Sequence, residues 1–263
     1  MGQVPEVAGS PARHLLIGSG KLSSHFEKYF SDLGLEFSLW RTPREFLAGF
    51  FSTFRSTHVW ILVSDRAIGS VADRLRSGFS EFDRADSAPP ILLHASGATV
   101  VPGVVGAHPL MTFGDSLYDV ETYRRIPFVV ENAFDGRSAS DLLGGLPNVA
   151  VYLDPSRRPL YHALVSASGT FPALLWAAVF SRFERDLGLS RELLAPFLFR
   201  TLLNSLEFGE SAITGPLVRG DSETVRLHRS TLSGTELAPL YSAFESFFRD
   251  RFSRRGGEPH VEA

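Results

Sequence analysis

The chain contains no cysteine among its 263 residues. This absence excludes disulfide bonds, thiolate zinc sites and a cysteine nucleophile. The eight histidines show no metal-ligand spacing beside an acidic residue. We therefore expect no bound metal ion.

Long apolar runs and an excess of positive charge are also missing. The longest apolar run, Leu174–Phe180, is far shorter than the roughly 20 residues that a bilayer requires. A formal net charge of −3 gives no basic surplus for nucleic acid. The N-terminus lacks the basic and apolar regions of a signal peptide. We therefore expect a cytoplasmic protein that binds neither a membrane nor nucleic acid.

What is present in the first half is an alternation of short apolar runs and amphipathic segments. The runs that indicate strands are 14–17, 35–40, 59–63, 90–94, 128–130 and 149–152. Helix-like segments lie between them, at about 22–33, 43–54, 66–79 and 137–145. Strands that alternate with helices predict right-handed βαβ units and a parallel sheet.

The pattern changes near Asp154–Pro159, after which strand signals nearly vanish. Helices are predicted there at 159–187, 190–207, 222–232 and 235–253. We therefore predict an α/β Rossmann-type parallel-sheet domain at residues 12–153 and an all-α domain at 154–255. The end segments 1–11 and 256–263 are expected to be flexible.

A glycine-rich turn follows the first predicted strand. In a dinucleotide-binding unit, one glycine allows the tight turn, a second lets the backbone approach a pyrophosphate, and a third position must be small. Gly18, Gly20 and Ser23 meet these requirements. The alternative is an ordinary turn. The residues predicted to hold the pyrophosphate at the start of the next helix are Gly18, Ser19, Gly20, Lys21, Leu22 and Ser23.

The second predicted strand ends at Arg41 and Thr42. NAD-binding units carry an acid at this position for the ribose 2′-hydroxyl, whereas an arginine suits the 2′-phosphate of NADP. A guanidinium holds phosphate oxygens as a fork, and Lys21 would add a second cation. The sequence therefore favours NADP over NAD, unless Arg41 and Lys21 are merely solvated surface charges.

Polar residues follow two further predicted strands. Ligands of open α/β sheets bind beyond the carboxyl ends of the strands, so Val63, Ser64, His94 and Ser96 are predicted to line the cofactor site. His108 follows soon after. His94 and His108 are candidates for proton transfer because imidazole titrates near neutral pH. The alternative is that both are hydrogen-bonded structural histidines.

The first helix of the second half carries His162, Ser166 and Thr170 at four-residue spacing. This spacing places them along one helix face, which we expect to point into a cleft between the two domains. The alternative is a tightly packed helix whose hydroxyls bond to their own turn.

Arg219 lies in a turn-rich break between later helices. Its guanidinium would bind a substrate carboxylate. Pairing with Glu210 or Glu223 as a structural tie is the alternative.

The second half also contains a broad apolar face. One small helical domain can hardly bury it alone, so we expect a homodimer formed through the C-terminal domain. Its members are Phe197, Leu198, Phe199, Leu202, Leu203 and Leu206.

Several short motifs resemble those of Rossmann-like bacterial proteins with a C-terminal helical domain of unknown function, within the 6-phosphogluconate dehydrogenase-like superfamily that includes pyrroline-5-carboxylate reductase. They span most of residues 13 to 232, in order. The motifs are Gly18–Gly20, Val63–Asp65, His94–Gly97, His108–Phe113, Tyr161–Ala163 and Thr214–Asp221.

This resemblance implies an NADP-binding domain followed by a helical domain that dimerises. Ser23 departs from the usual Gly or Ala, and Thr170 stands where an Asn is expected. The first hypothesis is an NADP-dependent reductase of a small keto acid or imine, with His108, His162 and Thr170 as catalytic candidates and Arg219 binding substrate. The second is a non-catalytic NADP-binding sensor or regulatory dimer, and a third is a helical interaction protein with an empty Rossmann half.

Overall fold

The computed structural model describes residues 12–41, 56–81, 89–131 and 136–253. The chain divides into two compact units between Ala167 and Ser168, which we call the sheet unit and the helical unit. Some predictions lie outside the described residues. They are the helix at 43–54, Thr42, and the end segments 1–11 and 256–263. The domain boundary near residue 153 stays a prediction.

The sheet unit is built on seven strands joined by helices. The strands are β1 (Arg13–Ile17), β2 (Glu36–Trp40), β3 (His58–Ile61), β4 (Ile91–His94), β5 (Val105–Pro109), β6 (Phe128–Glu131) and β7 (Ala150–Leu153). The helices described in this unit are α1 (Lys21–Asp32), α2 (Asp65–Glu81), α3 (Val120–Arg124) and α4 (Ala139–Leu143), and α5 (Arg158–Leu187) begins in it.

The strand order is β2-β1-β3-β4-β5-β6-β7. The chain adds β2 on one side of β1 and β3 on the other, which creates a topological switch point at the carboxyl end of β1. The predicted Rossmann-type sheet is therefore confirmed. One pairing differs from the expectation, because β6 runs antiparallel to β5. The connection between them contains the five-residue helix α3, whereas a parallel crossover usually contains a longer helix.

The sequence did not predict β5. Its residues, Val105-Gly106-Ala107-His108-Pro109, include a glycine and a proline, which are depleted in strands. Pairing with β4 on one side and β6 on the other places this segment in the sheet.

Alternate residues of the central strands face two apolar layers. Leu16, Trp60 and Leu93 pack with α1 on one face and are fully buried. Leu15 and Val59 face the other layer, which also contains buried residues of α2. Burial on both faces explains why these strands are continuous apolar runs rather than alternating ones.

The helical unit contains the rest of α5, then α6 (Ala195–Phe208), α7 (Ser222–Thr231) and α8 (Leu237–Ser253). The four predicted helices of the second half are confirmed within a few residues. Asp221 caps α7, because its carboxylate accepts a hydrogen bond of 3.0 Å from the Thr224 amide. Among the side chains described for residues 168–252, Val225 and Glu245 alone are buried.

The segment Pro155–Leu187 is long and apolar enough to cross a membrane, judged by length and composition, with a mean hydropathy of 1.6 over its most apolar window. Our search for uninterrupted apolar runs missed it because scattered serine, threonine and histidine break the run. A core or interface helix passes the same test. The absence of membrane contact therefore stays a prediction.

Candidate functional site

The turn between β1 and α1 is held against the end of β3. Gly18 has a φ of +155°, and a Cβ added to it would lie 2.2 Å from the backbone oxygen of Leu62. Its amide donates to the Trp40 carbonyl at 2.8 Å. The hydroxyl of the fully buried Ser23 donates to the Gly18 carbonyl at 2.9 Å. The turn therefore requires glycine at position 18, and serine fits the small third position because its hydroxyl bonds to the turn.

A cavity of about 580 Å³ lies beside this turn, at the switch point of the sheet. This volume is within the range of small-molecule and cofactor sites. Predicted site residues that line it are Gly18, Ser19, Gly20, Lys21, Leu22, Arg41, Val63, Ser64 and Ser96. Ser23 and His94 do not line it.

The start of α1 suits a bound anion. Its N-cap is Gly20, so no side chain caps the first amides, and the first turn carries no acidic residue. Uncapped amides and the positive end of a helix dipole attract phosphate groups. Together with the close approach at Gly18, this is the cradle that a pyrophosphate needs.

Both cations predicted to bind phosphate are paired with carboxylates. Arg41 contacts Glu27 at 2.6 Å, and Lys21 contacts Asp115 at 2.9 Å. All four side chains are exposed, and exposed ion pairs contribute little stability. An incoming phosphate would therefore compete with weak partners.

His94, at the end of β4, is fully buried. Its Nδ1 accepts a hydrogen bond of 3.2 Å from the Ser96 amide, which leaves the proton on Nε2. Burial, together with a smaller effect of the charge on Arg158, lowers the pKa of His94 to about 4. His94 is therefore neutral at pH 7, as a structural histidine would be.

His108 lies beyond the end of β4, because His94 pairs with Gly106 and β5 continues past it. Its Nδ1 is 2.7 Å from the hydroxyl of Tyr161, and its ring centroid is 6.1 Å from that of His162. We call His108, Tyr161 and His162 the histidine cluster.

The electrostatics of the histidine cluster follow from its partial burial. Burial lowers the pKa of His108 to about 4, with smaller effects from the charges of Arg158 and His162. Burial also raises the pKa of Tyr161, which Arg158 opposes. His108 and Tyr161 are both neutral at pH 7, and a single proton lies in the hydrogen bond between His108 Nδ1 and the Tyr161 hydroxyl oxygen.

Gly97 leaves room for the cluster. A Cβ at this position would lie 2.3 Å from His162 Cδ2 and 3.2 Å from His108 Cδ2. The resemblance included Gly97, but nothing in the sequence indicated that it contacts two histidines.

Sequence reasoning missed Arg158, which anchors the first turn of α5. The side chain is fully buried and donates to the Ser96 carbonyl and, at 3.4 Å, to that of Gly106. Its Nε lies 3.4 Å from Oε1 of buried Glu131. Burial raises the pKa of Glu131, against opposing effects of the Gly106 backbone and Arg158.

Arg158 precedes Tyr161 and His162 by three and four residues, so all three share one helix face. The neighbouring Arg157 is exposed, and no local signal distinguishes the two arginines. The acid Glu131, at the end of an apolar strand, was the signal that could have located the pair.

Residues 126–246 match a domain of unknown function, DUF2520. This range includes Glu131, Arg158 and two members of the histidine cluster, Tyr161 and His162. A comparison with curated proteins gives no match.

Several solved structures share the fold. A candidate NADP oxidoreductase from Bacteroides fragilis is 18% identical, with 92% of this chain and 99% of that chain covered and a TM-score of 0.68. A Thermotoga maritima protein is 22% identical, with 92% and 99% covered and a TM-score of 0.62. A reductive aminase from Aspergillus terreus, in complex with NADPH and ethyl levulinate, is 16% identical, with 95% and 96% covered and a TM-score of 0.57. The DUF2520 match agrees with the predicted C-terminal domain of unknown function, and the solved structures confirm the Rossmann-plus-helical fold.

Two predicted site residues lie in the helical unit. Thr170 is exposed on α5, and Arg219 is exposed in the turn before α7. Glu210, one of the alternative partners of Arg219, pairs with Arg251. Thr170 and Arg219 stay predictions. Within the described ranges, no group of three or more histidine, aspartate or glutamate side chains is arranged to hold a metal ion.

Proposed function

We propose that the sheet unit binds NADP(H) in the cavity beside the β1–α1 turn and that the protein is an NADP-dependent oxidoreductase. The observation that carries this proposal is the tight packing at Gly18. A Cβ added to Gly18 would lie 2.2 Å from the backbone oxygen of Leu62, so the turn requires glycine there. The fold shared with an NADPH-bound reductive aminase supports it.

The cavity residues suggest how the cofactor is held. The amides of Ser19, Gly20 and Lys21 would bind the pyrophosphate, and Arg41 would bind the 2′-phosphate. Ser64 and Ser96 would line the nicotinamide end, because they follow β3 and β4. When bound, the reduced nicotinamide supplies a hydride to a carbonyl or imine carbon.

Reduction of such a carbon also requires a proton, and we assign its supply to the histidine cluster. Tyr161 is the more suitable donor at pH 7, because it keeps its proton, whereas the pKa of His108 is about 4. His108 would orient the Tyr161 hydroxyl through their 2.7 Å hydrogen bond. His162 would face the substrate, for which a small keto acid or imine remains the proposed class.

Cofactor binding is tested by titrating NADPH and NADH into the wild type and two matched glycine variants. Gly18→Ala should abolish NADPH binding because its Cβ would collide with Leu62. Gly69→Ala should leave binding unchanged, since a Cβ there has nothing within 4 Å. Failure of the wild type to bind either cofactor would overturn the proposal.

Turnover is tested by NADPH oxidation with a panel of keto acids and imines. We expect Tyr161→Phe to lower kcat by about a hundredfold or more, which is the typical contribution of a general acid. The exposed Tyr152 provides the matched control, and Tyr152→Phe should retain full activity. Equal rates for the two variants would remove Tyr161 from the chemistry.

A non-catalytic NADP sensor is the second candidate. It is favoured by Thr170 in place of the expected asparagine. It is also favoured by the buried His94 and the half-buried His108, which stay uncharged at pH 7. Tight NADPH binding without turnover on the whole panel would select this candidate.

We also propose that the helical unit pairs with a second copy of the chain. Phe197 is 67% exposed and Leu206 is 76% exposed, and they belong to a larger set of exposed aromatic and aliphatic side chains. Large exposed apolar surfaces mark interaction sites. A second copy fits better than a bilayer because charged residues such as Arg182 and Glu236 lie on the same unit as an ion pair.

Light scattering at micromolar concentration tests this pairing. The wild type should have twice the chain mass, and Leu206→Glu should shift it toward the monomer. A monomeric wild type, or binding to phosphatidylcholine vesicles in place of dimerisation, would contradict the proposal. A cytoplasmic location likewise remains a prediction.

A further inference from the structure

We propose that Arg74 determines cofactor specificity by binding the 2′-phosphate of NADP together with Arg41. This inference rests on the proposed NADP-binding function. It goes beyond the sequence analysis, which assigned this role to residues at the end of β2 and to Lys21.

One face of α2 lines the cavity. Ala67, Ser70, Val71 and Arg74 all line the cavity. Their spacing of three, four and seven residues places them on one helix face. Arg74 therefore ends a row of side chains along the wall of the cavity.

The orientation of this face is set by the core. Ile68, Ala72 and Leu75 are fully or almost fully buried against the sheet. Rotation of α2 would expose these apolar residues to water, which is unfavourable. The helix therefore presents Arg74 to the cavity in a defined direction.

The three cations at the cavity differ in their carboxylate partners. Arg41 and Lys21 each pair with a carboxylate, at 2.6 and 2.9 Å. Arg74 has no carboxylate within 4 Å among the side chains described. Its neighbour Asp73 pairs instead with Arg76 at 3.0 Å. Among the described side chains, no carboxylate therefore competes with a ligand phosphate for Arg74.

The part of the cavity wall formed by α2 before Arg74 is largely apolar. Ala67 and Val71 are small and apolar, which suits the flat face of an adenine ring. Trp40 and Arg41, at the end of β2, line the same cavity. With the adenosine against this wall, its 2′-phosphate would lie at Arg41 and Arg74, and two guanidinium groups match its charge of nearly −2.

The experiment measures calorimetric binding of NADPH and NADH to the full chain. Arg74→Gln should weaken NADPH binding by about tenfold, as expected for the loss of a hydrogen bond to a charged group, and leave NADH binding within about twofold. The control is Arg66→Gln, because Arg66 is an exposed arginine of the same helix that does not line the cavity. Neither affinity should change in this control.

A smaller probe confines the test to the adenosine end. Adenosine 2′,5′-bisphosphate should bind more weakly to Arg74→Gln than to the wild type, whereas adenosine 5′-monophosphate should bind both equally. In the Arg41→Gln/Arg74→Gln variant, the combined loss should differ from the sum of the single losses, because both side chains contact one phosphate.

The outcomes separate this inference from the proposed function. If the wild type binds NADPH but Arg74→Gln behaves like Arg66→Gln, Arg74 plays no part and the inference is overturned while the function stands. An equal loss of NADPH and NADH affinity also overturns it, because Arg74 would then contact a group common to both. If the wild type binds neither cofactor, both proposals fall together.

Discussion

The sheet unit buries its large apolar side chains, whereas the helical unit exposes many of its own. Leu16, Trp60 and Leu93 in the sheet unit are fully buried, whereas Phe197 and Leu206 in the helical unit are more than two-thirds exposed. The exposed apolar side chains of the helical unit are the ones that the proposed second copy would cover.

Polar groups show the same contrast. The sheet unit buries a charged pair, Arg158 and Glu131, and ties it to backbone carbonyls. The helical unit carries mainly exposed pairs, such as Arg185 with Asp186 and Arg191 with Glu184. Exposed pairs contribute about 0–1 kcal/mol each, whereas a broken buried pair costs several times more. The contrast predicts that charge removal matters in the first unit and hardly in the second.

Removal of Arg158 should have the largest effect. Arg158→Met leaves Glu131 buried without its cation and should lower the free energy of unfolding by about 3–5 kcal/mol, measured by urea denaturation. The adjacent, exposed Arg157 gives the control, and Arg157→Met should stay within about 0.5 kcal/mol of the wild type. Adding Glu131→Gln should recover part of the loss. Equal stability of the two arginine variants would contradict the buried-pair interpretation.

A matched pair of leucine variants measures the apolar contrast directly. Leu93→Ala should cost about 2–5 kcal/mol because it opens a cavity in a packed core. Leu206→Ala should cost less than about 0.5 kcal/mol at protein concentrations where the chain is monomeric. Its cost should increase with concentration if a second copy covers the helical unit. A concentration-independent loss as large as that of Leu93→Ala would mean that the helical unit has a closed core of its own.

Counted for one histidine and one pH unit, the smallest expected effect is a dependence of stability on pH that originates in the sheet unit. Burial lowers the pKa of His14, His94 and His108 to about 4, compared with about 6.5 in an unfolded chain. Between these values the unfolded chain binds protons that the folded chain does not. Stability should therefore fall as the pH decreases from 6.5 toward 4, by up to about 1.4 kcal/mol per pH unit for each histidine.

Urea denaturation between pH 5 and 6.5 isolates this effect, because most carboxylates stay ionised there. Replacing one of these histidines, as in His14→Gln, should reduce the slope by the contribution of one proton. Glu131 opposes the trend, since burial raises its pKa. A stability that is flat across this range would show that these histidines titrate normally in the folded chain.

The sequence by itself determined the order of elements and the first turn of the site. Local periodicity predicted the buried strands β1, β3 and β4 and the four helices of the second half within a few residues. Gly18 was predictable because the required backbone conformation leaves few other choices at that position. These features depend on neighbours within a few residues, which a single sequence displays.

The tertiary structure alone decided which polar residues meet. His108 contacts Tyr161 across 53 positions, and Arg158 contacts Ser96 across 62. No local pattern distinguishes Arg158 from Arg157, or Arg74 from Arg66. The pairing of β5 with β4 and β6, against its weak strand propensity, creates these contacts, because sheet register sets the relative positions of residues far apart in the chain.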